Sequence, residues 1–261
     1  MLLDINAYVG HWPFKQVKFN TCEALMERMD QYNVDISVIS NLNGIFYKNT
    51  QPANQELFDE ISSDKQFRQK FIPFAVINPI YPGWKHDMEE CRNKFGMKGI
   101  RLYPKYHDYE LTDPACIEVV QLARDFEMPV AFSFRMVDSR QRSWMDIEKE
   151  WDLRDIIPIV KEVPDARYIF LNLCNSTKLS EEEELLLKDA NMVIDTSGRS
   201  VNSFIELLER FGREKFAFGS HSPILDYMTG LLRIESLRDE EAAKKTKDLF
   251  RYGNAKRILD I

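Results

Sequence analysis

Polar and titratable side chains recur at the ends of short apolar runs, and these residues could do chemistry. They are Asn6, Tyr8, Arg101, Tyr103, Ser133, Arg135, Asn172, Asp195 and His221. The ordinary pKa of His221 lies near neutral pH, so we expect it to be the general base, with Tyr8 as acid or oxyanion donor. Arg101 and Arg135 could each hold a carboxylate through paired N–H groups. The set predicts a pocket for a small, anionic, oxygen-rich molecule.

The elements that must position these residues follow a strand–helix alternation. Eight apolar runs predict strands at Leu2–Asn6, Asp35–Ile39, Phe71–Ile77, Gly99–Tyr103, Pro129–Phe134, Arg167–Leu173, Met192–Thr196 and Lys215–Ser220. The runs are apolar on successive residues, as strands buried on both faces are, and each interval has room for a crossover helix. This pattern predicts a single-domain (β/α)₈ TIM barrel over residues 1–261, with an open doubly wound sheet as the rival. No glycine-rich nucleotide loop follows any run, which weakens the rival.

Two capping pairs predict where helices begin. Asn20 lies three residues before Glu23 and predicts a helix through Tyr32. Ser180 precedes Glu183 by the same interval, which predicts a helix whose first turn carries the acidic run Glu181–Glu184.

Composition limits the class of protein and its partners. The chain has 261 residues and a net charge of −7, which argues against binding to nucleic acid or to an anionic membrane. Four scattered cysteines form no C-x-x-C pair, so a zinc ribbon is excluded and a reducing compartment is the simpler expectation. No signal peptide or membrane-spanning run is visible, and we therefore expect a cytoplasmic protein.

Sequence motifs at the predicted strand ends resemble those of one enzyme family. The segments that carry the resemblance are Leu3–Gly10, Phe71–Pro79, Gly96–Pro104, Pro129–Ser133, Ile169–Leu173, Val193–Gly198, Phe218–Pro223 and Gly253–Leu259. In this order and at these intervals they are similar to the amidohydrolase-related proteins (amidohydrolase family 2) of the metal-dependent hydrolase superfamily. The resemblance covers most of the chain and implies a TIM barrel whose strand ends form the active site.

The departures from that family fall on its metal ligands. The resemblance implies a divalent ion held by four histidines and an aspartate, and the matching positions here are Asn6, Tyr8, Ser133, Asn172 and His221. A catalytic zinc site needs about three nitrogen, sulfur or carboxylate ligands, which one imidazole among amides and hydroxyls does not supply. We therefore expect no cofactor and no metal at these positions.

Three functions follow as alternatives. The first is a metal-independent hydrolase of a small carboxylated or sugar-acid lactone or ester, with His221 as general base; the resemblance permits it because related barrels include metal-independent lactonases. The second is a catalytically degenerate relative that binds a small anionic ligand or a partner. The third is a metal-dependent hydrolase whose ligands have moved to His11, His107 and His221. Relatives often form homo-oligomers, so we expect self-association to be open to this chain too.

Each candidate also has an ordinary structural interpretation. His221 could merely hydrogen-bond a strand end, and the two asparagines could be buried amides. Arg101 could form a structural ion pair. His11 lies in a loop near the predicted mouth and is added as a substrate-binding candidate, whereas Trp12 and Phe14 of that loop are expected to pack over the mouth. Cys174 could be a nucleophile, although a small buried apolar residue is the stronger expectation.

Overall fold

Eight parallel strands form one sheet whose spatial order follows the sequence. The structure is a computed structural model that describes residues 1–140, 142–147, 150–173, 177–198 and 200–261. The strands are β1 (Leu3–Val9), β2 (Ile36–Asn41), β3 (Phe71–Val76), β4 (Gly99–Leu102), β5 (Val130–Ser133), β6 (Tyr168–Leu171), β7 (Met192–Asp195) and β8 (Phe216–Ala217). All eight predicted strands are confirmed, and with them the barrel.

The seam between β8 and β1 closes the barrel irregularly. Strand β8 has two residues, and the chain beyond it continues along β1 through Ile5 N to Phe218 O at 2.9 Å and Tyr8 N to Ser222 O at 2.8 Å. The Asp4 carboxylate completes the seam by accepting from the backbone N–H of Ser220 at 2.9 Å and from its hydroxyl at 2.5 Å. Side chains thus replace part of the strand ladder beside the candidate site.

Helices lie between the strands and around the barrel. They are α1 (Cys22–Gln31), α2 (Gln51–Ser63), α3 (Lys65–Lys70), α4 (Trp84–Asn93), α5 (Pro104–His107), α6 (Pro114–Asp125), α7 (Ile157–Glu162), α8 (Glu181–Asp189), α9 (Val201–Phe211), α10 (Tyr227–Glu235), α11 (Lys244–Asp248) and α12 (Asn254–Leu259). None of the helices in the described ranges is both long enough and apolar enough to cross a bilayer.

One of the two predicted helix starts is confirmed and the other is wrong by one residue. Ser180 and Glu183 form the reciprocal capping box at the start of α8. At α1 the cap is Thr21, whose hydroxyl accepts from the backbone N–H of Ala24 at 3.2 Å. The amide of Asn20 instead contacts the ring of His11, and Asn20 therefore does not cap the helix.

Apolar side chains fill the barrel in two places that matter for the site. In the space that the strands enclose, Leu3, Ile5 and Val38 pack in one buried cluster. This cluster also includes Ile258 and Leu259 of α12. At the carboxyl ends of the strands lies a second cluster, here called the mouth cluster. Its buried members are Tyr8, Trp12, Leu42, Ile45, Val76, Tyr103 and Met136, and Phe14 and Tyr106 pack against them. The mouth cluster therefore covers the end of the barrel at which TIM-barrel chemistry takes place.

Candidate functional site

The carboxyl ends of the strands bring most of the predicted site residues together. Asn6 and Tyr8 lie on β1, Arg101 on β4, Ser133 at the end of β5 and Asp195 at the end of β7. Tyr103, Arg135, Asn172 and His221 lie in the connections that follow β4, β5, β6 and β8. The parallel order of the strands explains the convergence, because the carboxyl ends of all strands point to the same face.

Asn6 is the centre of a buried hydrogen-bond network. Its Nδ2 donates to Oδ2 of Asp195 at 2.7 Å and faces Nδ1 of His221 at 3.2 Å. Its Oδ1 accepts from Nη1 of Arg101 at 3.3 Å. The reversed amide would turn an oxygen towards a carboxylate and an NH₂ towards a guanidinium, so these contacts fix the orientation of the amide.

His221 is held in one protonation state by its neighbours. The backbone carbonyl of Met136 lies 2.7 Å from Nε2 and can only accept, so Nε2 carries the proton, while Nδ1 accepts from Asn6. Burial lowers the pKa of His221 to about 4, with the charge of Arg101 adding to the effect. The imidazole is therefore neutral at neutral pH, and both of its nitrogens are engaged within the protein.

A left-handed backbone conformation places His221 beside this network. His221 adopts φ 61°, in the left-handed region that few non-glycine residues enter, and its N–H donates to the carbonyl of Asn6 at 2.7 Å. Asn172 adopts φ 54°, and its N–H donates to Oδ1 of Asp195 at 2.7 Å. Such conformations cost free energy and persist where surrounding contacts determine them, as they do here.

The Asp195 carboxylate accepts three hydrogen bonds from the protein. Asn6 and the hydroxyl of Ser197, at 2.6 Å, donate to Oδ2, and the backbone N–H of Asn172 donates to Oδ1. Burial raises the pKa of Asp195, and the three hydrogen bonds oppose that rise. Gly219 makes the approach of β8 possible, because a Cβ there would stand 2.5 Å from Oδ2 of Asp195.

Arg101 points into the barrel and is completely buried. Besides Asn6 it donates from Nη2 to the carbonyls of Val38 at 3.2 Å and Ile5 at 3.4 Å, and its Cζ lies 4.4 Å from the centre of the Tyr8 ring. No carboxylate of the described residues forms a direct ion pair with it. The two Nη atoms of the guanidinium thus bond within the barrel interior, and Nε is buried without a partner among the described residues.

Tyr8 connects the network to the mouth cluster. Its hydroxyl lies 3.4 Å from the hydroxyl of Ser133, and its ring meets the His221 ring edge-on at 5.4 Å between centres. Burial raises the pKa of Tyr8, so the phenol stays protonated and can donate a hydrogen bond. Tyr8 therefore contacts both His221 and Ser133, the residue at the end of β5.

A small cavity of about 20 Å³ lies beside the network, between the β4 and β5 connections. It is lined by Tyr103, Lys105, Tyr106, Ser133, Phe134, Arg135, Met136, Val137, Arg142, Asp146, Ile147 and Glu150. The hydroxyl of Tyr103 and Nε of Arg135 are buried without a hydrogen-bond partner among the described residues. Arg135 also pairs with Asp138 at 3.3 Å. The cavity therefore combines unused donors with room for about one or two water-sized groups.

Other predicted residues lie apart from the network. His11 is exposed and contacts Asn43 and Asn20. His107 is buried, with Nε2 3.0 Å from the carbonyl of Gly44, and burial lowers its pKa to about 4. Cys174 lies outside the described residues. The relocated three-histidine site is therefore not assembled by the contacts that the structure describes.

Sequence reasoning anticipated part of the covering of the mouth and missed the rest. Trp12 and Phe14 pack over the mouth as expected, edge-on to each other and to Phe46. The carbonyl of Met136 and the cations Lys105 and Arg142 were not predicted as site groups. A backbone acceptor has no signature in residue type, but the cluster of cations after the fourth and fifth strands could have been noticed.

The donor set does not fit the divalent ion that the family resemblance implies. At the five matching positions stand two amides, a phenol, a hydroxyl and an imidazole whose nitrogens already bond to Asn6 and Met136. The Asp195 oxygens accept three protein donors, and Arg101 brings a positive charge to the same place. Within the described ranges no three His, Cys, Asp or Glu side chains are grouped as metal ligands.

Comparison with known families and sequences gives one match. The model of the family described as Amidohydrolase matches residues 28–261, which is most of the chain. A comparison with curated protein sequences gives no match.

Solved structures with the same fold include several decarboxylases. A 2,6-dihydroxybenzoate decarboxylase from Rhizobium is 11% identical, with a TM-score of 0.75 over 99% of this chain and 98% of that one. A 5-carboxyvanillate decarboxylase from Sphingomonas paucimobilis is 14% identical, with a TM-score of 0.71 over 100% and 99%. The enzyme of that name from Novosphingobium aromaticivorans, solved with bound manganese, is 11% identical, with a TM-score of 0.77 over 100% and 97%. At these identities the likeness shows the fold alone.

Proposed function

This chain belongs to the amidohydrolase family, and from that premise we propose that it binds a small carboxylate-bearing molecule at the barrel mouth without metal-assisted hydrolysis. One observation carries the proposal. Asn6, Asp195 and His221 are buried and bonded to one another or to the backbone, whereas Tyr103 and Arg135, each with a buried donor that has no partner among the described residues, line the adjacent cavity.

The lining of the cavity favours an anion. Three cations, Lys105, Arg135 and Arg142, line the cavity against two carboxylates, Asp146 and Glu150, and Lys105 and Arg135 also pair with Glu110 and Asp138. Glu150 pairs with Arg142 at 3.4 Å, and Asp146 accepts from the hydroxyl of Tyr106 at 3.1 Å. A carboxylate accepting from Tyr103 and Arg135 satisfies two buried donors at once, and charged hydrogen bonds of this kind are the strong ones.

The size of the cavity indicates which part of a ligand enters. A volume of about 20 Å³ holds a carboxylate group and not a whole aromatic or sugar acid. The rest of the molecule then lies towards the β5 connection, where the lining residues Val137 and Arg142 are half-buried. The decarboxylases among the structural neighbours act on carboxylated aromatic compounds by their names, which supports carboxylates as the first probes.

The buried network argues against the family reaction. A general base needs a lone pair that the substrate can reach, and the free lone pair of His221 faces Asn6. Activation of water by a bound metal needs ligands that the strand ends do not supply.

Thermal denaturation with defined probes tests the binding proposal. We expect 10 mM 2,6-dihydroxybenzoate or gluconate to raise the melting temperature by about 3 °C if the dissociation constant is about 1 mM. The uncharged analogues 2,6-dihydroxybenzamide and glucose should leave it unchanged. Equal effects of acids and uncharged analogues, or no shift with any carboxylate, would refute the proposal.

Two tyrosines provide a matched pair of variants. Tyr103 and Tyr109 are both buried with unpartnered hydroxyls among the described residues, but Tyr103 lines the cavity and Tyr109 does not. Tyr103→Phe should weaken carboxylate binding about tenfold in titration calorimetry, while Tyr109→Phe should leave it unchanged. An equal loss in both variants would show a general effect on stability and not a contact with the ligand.

Metal-independent hydrolysis with His221 as general base is the second candidate. It is favoured by the neutral state of the imidazole and by the closeness of Tyr8 and Ser133. For this reaction the amide of Asn6 must release Nδ1. A panel of sugar-acid lactones followed with a pH indicator decides: turnover lost in His221→Gln supports it, and no turnover by the wild type refutes it.

A further inference from the structure

Arg101 is a completely buried cation that has no direct carboxylate partner among the described residues. We propose that Arg101 is the resident cation of the barrel interior, paired with Asp195 through the amide of Asn6. This amide-bridged pair occupies the region in which the family resemblance places a divalent ion. The proposal concerns the barrel interior and does not depend on which molecule the cavity binds.

The contacts form a continuous path from cation to anion. Nη1 of Arg101 donates to Oδ1 of Asn6 at 3.3 Å, and Nδ2 of Asn6 donates to Oδ2 of Asp195 at 2.7 Å. Each step runs in the same direction, so the amide dipole lies with its negative end on the cation and its positive end on the carboxylate. Hydrogen bonds aligned in this way polarise one another in a low-dielectric interior.

The remaining surroundings of Arg101 also suit a cation. Two strand carbonyls, of Ile5 and Val38, accept from Nη2, and the face of the Tyr8 ring lies 4.4 Å from Cζ. Carbonyl oxygens and a π-face stabilise positive charge without neutralising it. Asp195 is the carboxylate that the Asn6 amide connects to Arg101, and the positive charge of Arg233 acts on it as well.

A buried arginine that served packing alone would not need this arrangement. Burying a charge costs several kcal/mol, and an apolar side chain of similar size fills a barrel interior without that cost. The polar contacts of Arg101 instead connect β4 to β1 and β2, and Asn6 extends them to β7 and the β8 connection. The guanidinium of Arg101 and the amide of Asn6 thus connect strands that, by the family resemblance, a metal ion would connect.

A double-mutant cycle measures whether the pair acts through the amide. Arg101→Met, Asp195→Asn and the double variant are compared by urea unfolding, first with Asn6 present and then in Asn6→Ala. We expect a coupling of about tenfold in the unfolding equilibrium constant with Asn6, falling below about threefold without it. Asp4 and Arg101 form the control cycle. Asp4 is buried on β1, the strand of Asn6, but its carboxylate accepts from Ser220 and from the backbone N–H of Asn6.

The outcomes of the cycle separate the alternatives. Coupling to Asp195 no larger than coupling to Asp4 would overturn the proposal, because the two sites would then share only general stability. Coupling that persists in Asn6→Ala would overturn the role of the amide. Arg101→Lys should keep most of the coupling, because the charge remains, whereas a loss equal to that in Arg101→Met would point to packing.

Metal binding to the wild type tests the proposal without any variant. Competition of the protein with a chromophoric chelator for Zn²⁺ and Mn²⁺ should show no stoichiometric uptake, and the melting temperature should not change with either ion. Uptake of about one equivalent that is abolished in both Asn6→Ala and His221→Gln would place a metal among these residues. It would then refute Arg101 as the resident cation.

Discussion

Replacing His221 by glutamine tests how the buried network responds to acid. The native imidazole is neutral because burial lowers its pKa to about 4, whereas in the unfolded chain the value is near 6.5. Between these values the unfolded state binds more protons than the native state, so stability falls as the pH falls. Above about pH 7 the term vanishes, because both states are then neutral.

The size of the effect follows from the two pKa values. Linkage gives a loss of about 2 kcal/mol between pH 7.5 and pH 5 from this one residue. The His221 side chain is fully buried, so solvent does not screen the interactions that lower its pKa. His107 contributes in the same direction in both proteins and therefore cancels in their difference.

Urea unfolding at pH 7.5 and pH 5 measures this difference. The wild type is expected to be more stable than His221→Gln at pH 7.5, and the gap should shrink by about 2 kcal/mol at pH 5. His86→Gln is the control, because His86 is an exposed residue of α4 outside the buried network. A gap that stays constant, or widens in acid, would refute the buried neutral imidazole.

Three further predictions concern other contacts of the barrel. Burial raises the pKa of Asp4 to about 6, so Asp4→Asn should gain on the wild type by about 2 kcal/mol in unfolding free energy as the pH rises from 4 to 8; a gain as the pH falls would contradict this. Gly219→Ala should destabilise by ~1–3 kcal/mol, because its Cβ would collide with Asp195; unchanged urea unfolding would argue against the close approach. Ser180→Ala should cost about 1 kcal/mol through loss of the α8 capping box, checked by thermal denaturation.

The site was only partly predictable from the sequence. The polar residues at the strand ends were identifiable because strand position fixes which end of a barrel a residue occupies. Their roles were not, because a role depends on which groups face one another. Arg101 was expected to hold a carboxylate of a ligand, but its guanidinium bonds to Asn6 and two strand carbonyls. Arg135, which follows the next strand, has a free donor beside the cavity.

The sequence by itself determined the barrel, since eight runs of buried strand residues at crossover intervals leave little choice of architecture. It also determined which residue types stand at the strand ends. Only the tertiary structure decided the tautomer of His221, the orientation of the Asn6 amide and the packing of Tyr8 and Met136 in the mouth cluster. The physical reason is that hydrogen-bond direction and desolvation arise between residues far apart in sequence, and no local pattern encodes them.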